Sequence, residues 1–294
     1  KIKAGSFQKE MVYISTSCIK TSSIKEAIEL LVRYGFTNIE LSGGTDYYDG
    51  LIQDIFELKE RYGLSYLLHN YFPPAKDHHV LNLASLDNKV YEKTIEHLLY
   101  AIDLSKKLGA NKFGFHAGFY LDVKSIEIGK KIACKRLAKK EKALERFSEG
   151  YVLLSNEAGK NLELYIENCV LSSTNRKTFH RSNPFMLTTY EDYKELKQYI
   201  DFKLLLDLAH LKVSSQSLSL DFDSEFDNMF GLSDYYHISE NDALEDLNQG
   251  INQQSGIWLK LKQFDLKDKT LTLEINDGLS ELIKSFHIVT GELR

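Results

Sequence analysis

The feature that most constrains the fold is a recurring unit: an amphipathic helical pattern, a glycine, then a short apolar run. The first copy opens at Ser23, with Glu26 three residues on as a capping box. It sets Ile24, Ala27, Ile28 and Leu31 on one face and stops at Gly35 before TNIELS. Gly63 and Gly109 close the helical patterns around 51–62 and 89–108 and lead into LSYLLHN and ANKFGFHAG. MVYISTS stands before the first helix, and LELYIENC, FKLLLDLAH, SDYYHIS and LTLEIND follow, which makes eight predicted strands. Runs apolar on both faces, separated by helices, fit parallel strands covered all round. Eight such units in 294 residues fit a closed (β/α)8 barrel, which takes about 250 residues plus loop insertions. A doubly wound open sheet is the alternative, but STSCIKTSS after the first strand lacks the G-x-G-x-x-G phosphate fingerprint. With only three prolines and no Gly/Ser tract to form a linker, one domain over 1–294 is expected.

Composition narrows the classes of function. At 43% hydrophobic residues the chain can bury a sizeable core, and no apolar run approaches the roughly 18–20 residues of a membrane span. Lys and Arg number 37 against 42 Asp and Glu, so the net charge is −5 and no overall basic field advertises nucleic acid. The basic stretch 130–146, KKIACKRLAKKEKALER, reads as a helix with a solvated outer face, because Ile126, Ala133, Leu137, Leu144 and Phe147 recur at helical spacing. No aromatic side chains interleave its lysines as stacking platforms. The opening KIKAGSFQKE reads as a strand lead-in, having no apolar segment of a signal peptide. Cys18, Cys134 and Cys169 are too few and scattered for a disulfide framework, so a cytoplasmic home is expected. A homo-oligomer is compatible with all of this.

The later strands each end in a residue that an apolar core would not choose: His69, His116, Glu167, Asp207, His237 and Glu274. Barrel active sites lie at the C-terminal ends of the strands, so these six side chains are expected at one mouth. Grouping three carboxylates there without a cation would cost several kcal/mol per charge. A divalent ion with Glu167, Asp207, His237 and Glu274 as ligands is therefore expected, as manganese, cobalt, magnesium or zinc. His210, three residues after Asp207, reaches the same mouth, and Lys212 is a candidate substrate contact. Arg176, His180 and Arg181, in the long loop SSTNRKTFHRSNPF, are further candidates that a phosphate or acidic sugar would suit. His78 and His79 follow in a loop, while His97 and His287 fall within helical patterns and read as structural.

These residues resemble the xylose isomerase-like TIM barrels, a family of sugar isomerases and epimerases that also includes type IV apurinic endonucleases. The resemblance spans about Met11 to Ile288 and is carried by IENCVLSS at Glu167, the D-x-x-H of LLLDLAH, HISEND from His237, and LEI at Glu274. It implies a (β/α)8 TIM barrel with the metal tetrad on Glu167, Asp207, His237 and Glu274, and a substrate-contacting His210. His69 and His116 match the histidines that bind an additional zinc in the endonucleases. Those enzymes carry a D-x-H pair a dozen residues after the strand-seven histidine, whereas ENDALEDLNQG here places Asp246, Leu247 and Asn248 at that point. Asn is a poor zinc ligand, so the resemblance favours sugar chemistry on a small carbohydrate substrate. In that chemistry the ion chelates a hydroxy-carbonyl sugar while Glu167 and Glu274 act as general acid and base through an enediolate. Isomerisation, epimerisation and dehydration all remain open, with endonuclease-like phosphodiester cleavage as the alternative.

Overall fold

The structure, a computed structural model, describes residues 11–180 and 182–292. Residues 1–10, expected as a strand lead-in, and Arg181, expected as a substrate contact, lie outside them.

All eight predicted runs form strands: β1 (Val12–Ser15), β2 (Asn38–Leu41), β3 (Ser65–His69), β4 (Lys112–His116), β5 (Glu163–Glu167), β6 (Lys203–Asp207), β7 (Ser233–Ile238) and β8 (Thr270–Leu273). Each pairs in parallel with the next and β8 closes onto β1, with Ile14 opposite Leu273, to give the (β/α)8 barrel. The chain rises through a strand and returns along the outside in a helix. The returning helices are α1 (Ile24–Arg33), α2 (Leu51–Tyr62), α3 (Asn88–Lys107), α4 (Lys140–Ala158), short α5 (Ser173–Phe179) and α6 (Tyr190–Leu196), α7 (Leu208–Leu218) and α8 (Phe222–Phe230), α9 (Gly256–Leu261) and α10 (Leu279–Glu292).

Local sequence explains the boundaries. The Ser23 hydroxyl accepts the Glu26 N–H to start α1, which buries Ile24, Ala27, Ile28 and Leu31. Gly63 ends α2 in the left-handed region at φ 63°, where a side chain would be strained. No described helix is long and apolar enough to cross a membrane, and all three cysteines are free.

Strand side chains alternate between the two faces of the sheet, which divides the core in two. One set packs between sheet and helices; the other fills the barrel as a separate cluster of Leu67, Tyr165, Leu205 and Tyr235. Two residues further along the same strands, on the same inward face, stand His69, Glu167, Asp207 and His237. A polar layer thus rests on an apolar plug. Gly114 gives it room, since a Cβ there would come within 3.0 Å of both His69 and Leu205.

Two sequence expectations are corrected. The stretch 130–146 is helical only from Lys140, because the backbone donors ahead of it are held elsewhere. The Ile132 N–H donates to Asn175 at 2.9 Å, that of Ala133 to Glu127 at 2.9 Å and that of Ala138 to the Tyr120 carbonyl at 2.7 Å. Ile126, counted on its apolar face, is 75% exposed. The segment SSTNRKTFHRSNPF, read as loop throughout, contains α5, started by the Ser172 hydroxyl accepting the Asn175 N–H.

Candidate metal centre and active site

The end of β5 is the middle of the polar layer. Glu167 is fully buried, with Oε2 accepting from His69 Nε2 at 2.8 Å and lying 3.3 Å from His116 Nε2. Its Oε1 has no hydrogen-bond partner and faces His237 Nδ1 at 3.4 Å and His210 Nδ1 at 3.6 Å. The next residue, Asn168, clamps β5 to β6: its Oδ1 accepts the Asp207 N–H at 2.7 Å and its Nδ2 donates to the Asp207 carbonyl at 3.0 Å.

Asp207 does two things at once. Its Oδ1 accepts the His210 N–H at 2.7 Å and so caps α7, which fixes the carboxylate and leaves Oδ2 buried without a partner. The D-x-x-H spacing also sets His210 over the cluster. His210 Nδ1 donates to the Asn168 carbonyl at 2.8 Å, while Nε2 lies 3.3 Å from Asp246 and 3.8 Å from Asp207.

His237 completes the layer from β7. Its Nδ1, also buried without a hydrogen bond, lies 3.5 Å from Glu274, the residue that follows β8. Its Nε2 faces Glu40 of β2, 3.1 Å from Oε1. Glu40 is fully buried and also receives the Tyr235 hydroxyl and, at 2.9 Å, that of Thr272. Sequence reasoning missed Glu40. A lone glutamate inside the apolar strand NIEL was the available signal, because such a charge must be compensated.

Electrostatics show what the cluster lacks. Burial, reinforced by Glu167 and Asp246, pushes the Asp207 carboxyl up to about 7. Burial would raise Glu167 and Glu274 too, but His116 and His69 hold Glu167 well below its ordinary range and His237 brings Glu274 down to about 2. Against its own burial, His237 is raised well above its ordinary value by Glu40 and Glu274.

A divalent ion fits this donor set. Glu167 Oε1, Asp207 Oδ2 and His237 Nδ1 are buried and unpartnered, all are ligand atoms, and Glu274 lies beside His237 Nδ1. Among the described residues, three groups have ligand atoms close enough to share an ion: Glu167 with Asp207 and His210, His69 with Glu167 and His237, and Glu40 with His237 and Glu274; the expected tetrad is divided among them, and none unites all four of its members. Above them opens a cavity of about 970 Å3 lined by His69, His116, His210 and Glu274 among others. Glu167 is buried below its surface.

The remaining sequence candidates stand elsewhere. Lys212 pairs with Glu240 and donates to the Asn241 carbonyl at 2.8 Å, and is no part of the cavity lining. Arg176 is spent on backbone carbonyls, donating to Ser217 at 3.2 Å and to His180, so it too is a structural residue. His97, read as structural, lines the cavity together with His78 and His79.

The family model of the xylose isomerase-like TIM barrel matches residues 28–281. No curated protein sequence matches the chain. Among solved structures, a D-tagatose 3-epimerase-like protein superposes with a TM-score of 0.71 at 17% identity, over 96% of this chain and 97% of that one. The TTHB071 protein from Thermus thermophilus, soaked with ZnCl2, gives 0.64 at 19% identity, over 96% and 97%. Endonuclease IV from the same organism gives 0.60 at 16% identity, over 96% and 98%. At these identities the likeness is one of fold.

Proposed function

Because the chain belongs to the xylose isomerase-like TIM barrel family, we propose that it is a metal-dependent sugar isomerase or epimerase that moves a proton on a carbon next to a carbonyl. The observation that carries this reading is the set of unpartnered buried donors, Glu167 Oε1, Asp207 Oδ2 and His237 Nδ1, directly beneath an open cavity. Such donors in that place are made for a cation that also faces a substrate. The epimerase-like structural neighbours agree with it.

Glu167, Asp207, His237 and Glu274 would hold the ion. Once bound, a divalent ion supplies electrophilic stabilisation of the negative charge that develops on the substrate oxygens. The protein's own part is proton transfer and orientation. Glu274 reaches the cavity, so its carboxylate would take the carbon-bound proton; delivering it to the neighbouring carbon gives isomerisation, whereas epimerisation needs a second proton donor on the opposite face, the part left to His210. Glu167, enclosed by His69, His116 and His237, is left to hold the ion. Burial pushes His116 down to about 4 while Glu167 opposes the shift, and its ring lines the cavity, where it can hydrogen-bond a sugar hydroxyl. His210 serves the opposite side from α7. Lys212 and Arg176 have no role at the site.

The test is exchange of substrate carbon-bound hydrogen for deuterium in heavy water, with a panel of ketoses and the protein loaded with manganese, cobalt, magnesium or zinc. Exchange reports proton abstraction before any product is known, and its loss in Glu274→Gln is the expected outcome. A loaded protein that exchanges no hydrogen from any hydroxy-carbonyl sugar would refute the reading. Endonuclease-type hydrolysis is the second reading, favoured by His69 and His116 meeting at Glu167 Oε2.

A further inference from the structure

The cavity over the cluster is larger and more apolar than a bare sugar ring requires. Its volume of about 970 Å3 stands at the upper end of the roughly 300–1,000 Å3 of small-molecule sites. Its lining joins the polar His69, His116, His210 and Glu274 of the cluster to the apolar Phe119, Val123, Ile128, Phe185 and Leu247, among others. This apolar wall is built in advance. Phe119 follows β4 and Phe185 precedes α6, yet an antiparallel bridge joins them and their rings meet edge to face at 5.6 Å. Part of this lining is left in water, since Ile128 is 42% exposed and Leu247 40%. Apolar side chains clustered at the rim of a polar cavity mark a surface that a ligand covers.

Charge argues in the same direction. The lining carries five carboxylates, Asp46, Glu127, Glu245, Asp246 and Glu274, against two lysines, Lys20 and Lys130, and no arginine among the described residues. The Lys20 ammonium donates to Asn276 Oδ1 at 2.6 Å and to the Ser17 carbonyl at 3.2 Å. Among the described residues no guanidinium fork lines the cavity to grip a phosphate, and carboxylates outnumber lysines there.

We infer that the substrate is an uncharged sugar conjugate: a hydroxy-carbonyl sugar ring at the histidine and carboxylate end, carrying an apolar aglycone that lies on Phe119, Phe185 and Leu247. The inference rests on the proton-transfer reading for the ring and on the cavity wall for the aglycone. Free monosaccharides leave that wall wet, and sugar phosphates meet the carboxylates.

Binding to the metal-loaded chain is measured by NMR titration with phenyl β-D-glucopyranoside, D-glucose and D-glucose 6-phosphate. Phenyl glucoside is expected to bind about tenfold tighter than glucose, or about 1.4 kcal/mol, with the phosphate no tighter than glucose. The double substitution Leu247→Ser with Ile128→Ser, at exposed positions, is expected to lower phenyl glucoside affinity severalfold. Equal affinity for glucose and its phenyl glucoside, or tightest binding of the phosphate, overturns the inference. Hydrogen exchange in phenyl 3-keto-β-D-glucopyranoside and in D-fructose separates the two claims. Exchange in both with no aglycone preference sinks the conjugate alone; preference without any exchange sinks the proton-transfer reading and leaves the apolar conjugate as the ligand.

Discussion

Glu40 stands behind His237, with Oε1 3.1 Å from Nε2, so the imidazole presents Nδ1 to Glu167 and Glu274. A carboxylate on the far nitrogen of a ligand histidine fixes its tautomer and orientation and raises its basicity. Glu40 is itself held, by the Tyr235 and Thr272 hydroxyls, at the bottom of the polar layer. Glu40→Gln keeps the shape but removes the charge, and is expected to weaken divalent-ion binding by about 10–100-fold. Competition against a chromophoric chelator measures this directly. Wild-type affinity in the variant would mean that Glu40 does not position His237.

Binding of the ion should also stabilise the fold, because it relieves repulsion among buried carboxylates. At a free ion concentration about 100 times Kd the gain is about 2.7 kcal/mol, a rise in Tm of several degrees. Chelator-treated protein, scanned with and without manganese or zinc, gives the shift. Asp207→Asn should abolish most of it while itself raising the Tm of the metal-free form, since it removes a carboxyl whose pKa burial pushes up to about 7. An equal metal-induced shift in that variant would place the ion elsewhere.

The barrel and most of its polar layer are legible in the sequence because both follow from periodicity. A run such as ELYIE ends on its inward face, so the residue type at the C-terminal end reports what faces the mouth. Glu40 escaped this reasoning because it lies inside β2 with Leu41 after it, and so does not look like a strand-end residue. Lys212 and Arg176 show the opposite limit. Proximity in sequence to Asp207 and Glu167 says nothing of direction, and both side chains found partners away from the cavity, in Glu240 and the Ser217 carbonyl. The stretch 130–146 carries helical spacing, but before Lys140 the Ala133 N–H is taken by Glu127 and those of Ile132 and Ala138 by Asn175 and Tyr120, distant partners that no local pattern encodes.

His97 gives a pH dependence that does not involve the polar layer. Burial pushes its imidazole down to about 4, with His79, ring centroids 5.9 Å apart, adding to the effect. The unfolded chain has the ordinary value of about 6.5 and therefore binds the proton first as pH falls. Stability is lost progressively from pH 6.5 down to about 4 and changes no further below that from this group. At pH 5 the loss is on the order of 2 kcal/mol. In urea denaturation of wild type and His97→Leu at pH 7.5 and pH 5, the unfolding free energy of wild type relative to the variant should fall by that amount at the lower pH. Parallel pH dependence in the two proteins would mean that His97 is not buried neutral.

The number of ions separates sugar chemistry from strand cleavage. Glu167 Oε2, between His69 and His116, offers a place for a second ion that an endonuclease would need. A third would have to use Asp246, His210 and the side chain of Asn248. Asp246 already faces His210 Nε2 at 3.3 Å, but the Asn248 Oδ1 accepts the Ser239 hydroxyl at 2.9 Å, and an amide oxygen is a poor substitute for an imidazole nitrogen. One ion per chain is expected, or two at most, and no incision of a duplex carrying a single abasic site. Elemental analysis of protein purified without chelator, run beside that incision assay, checks both. Asn248→His should then raise the number of bound zinc ions by one without conferring cleavage, since the carboxylate-lined cavity still repels a phosphate backbone. Three zinc ions in the unaltered chain together with efficient cleavage would overturn the sugar reading and make the second reading the function.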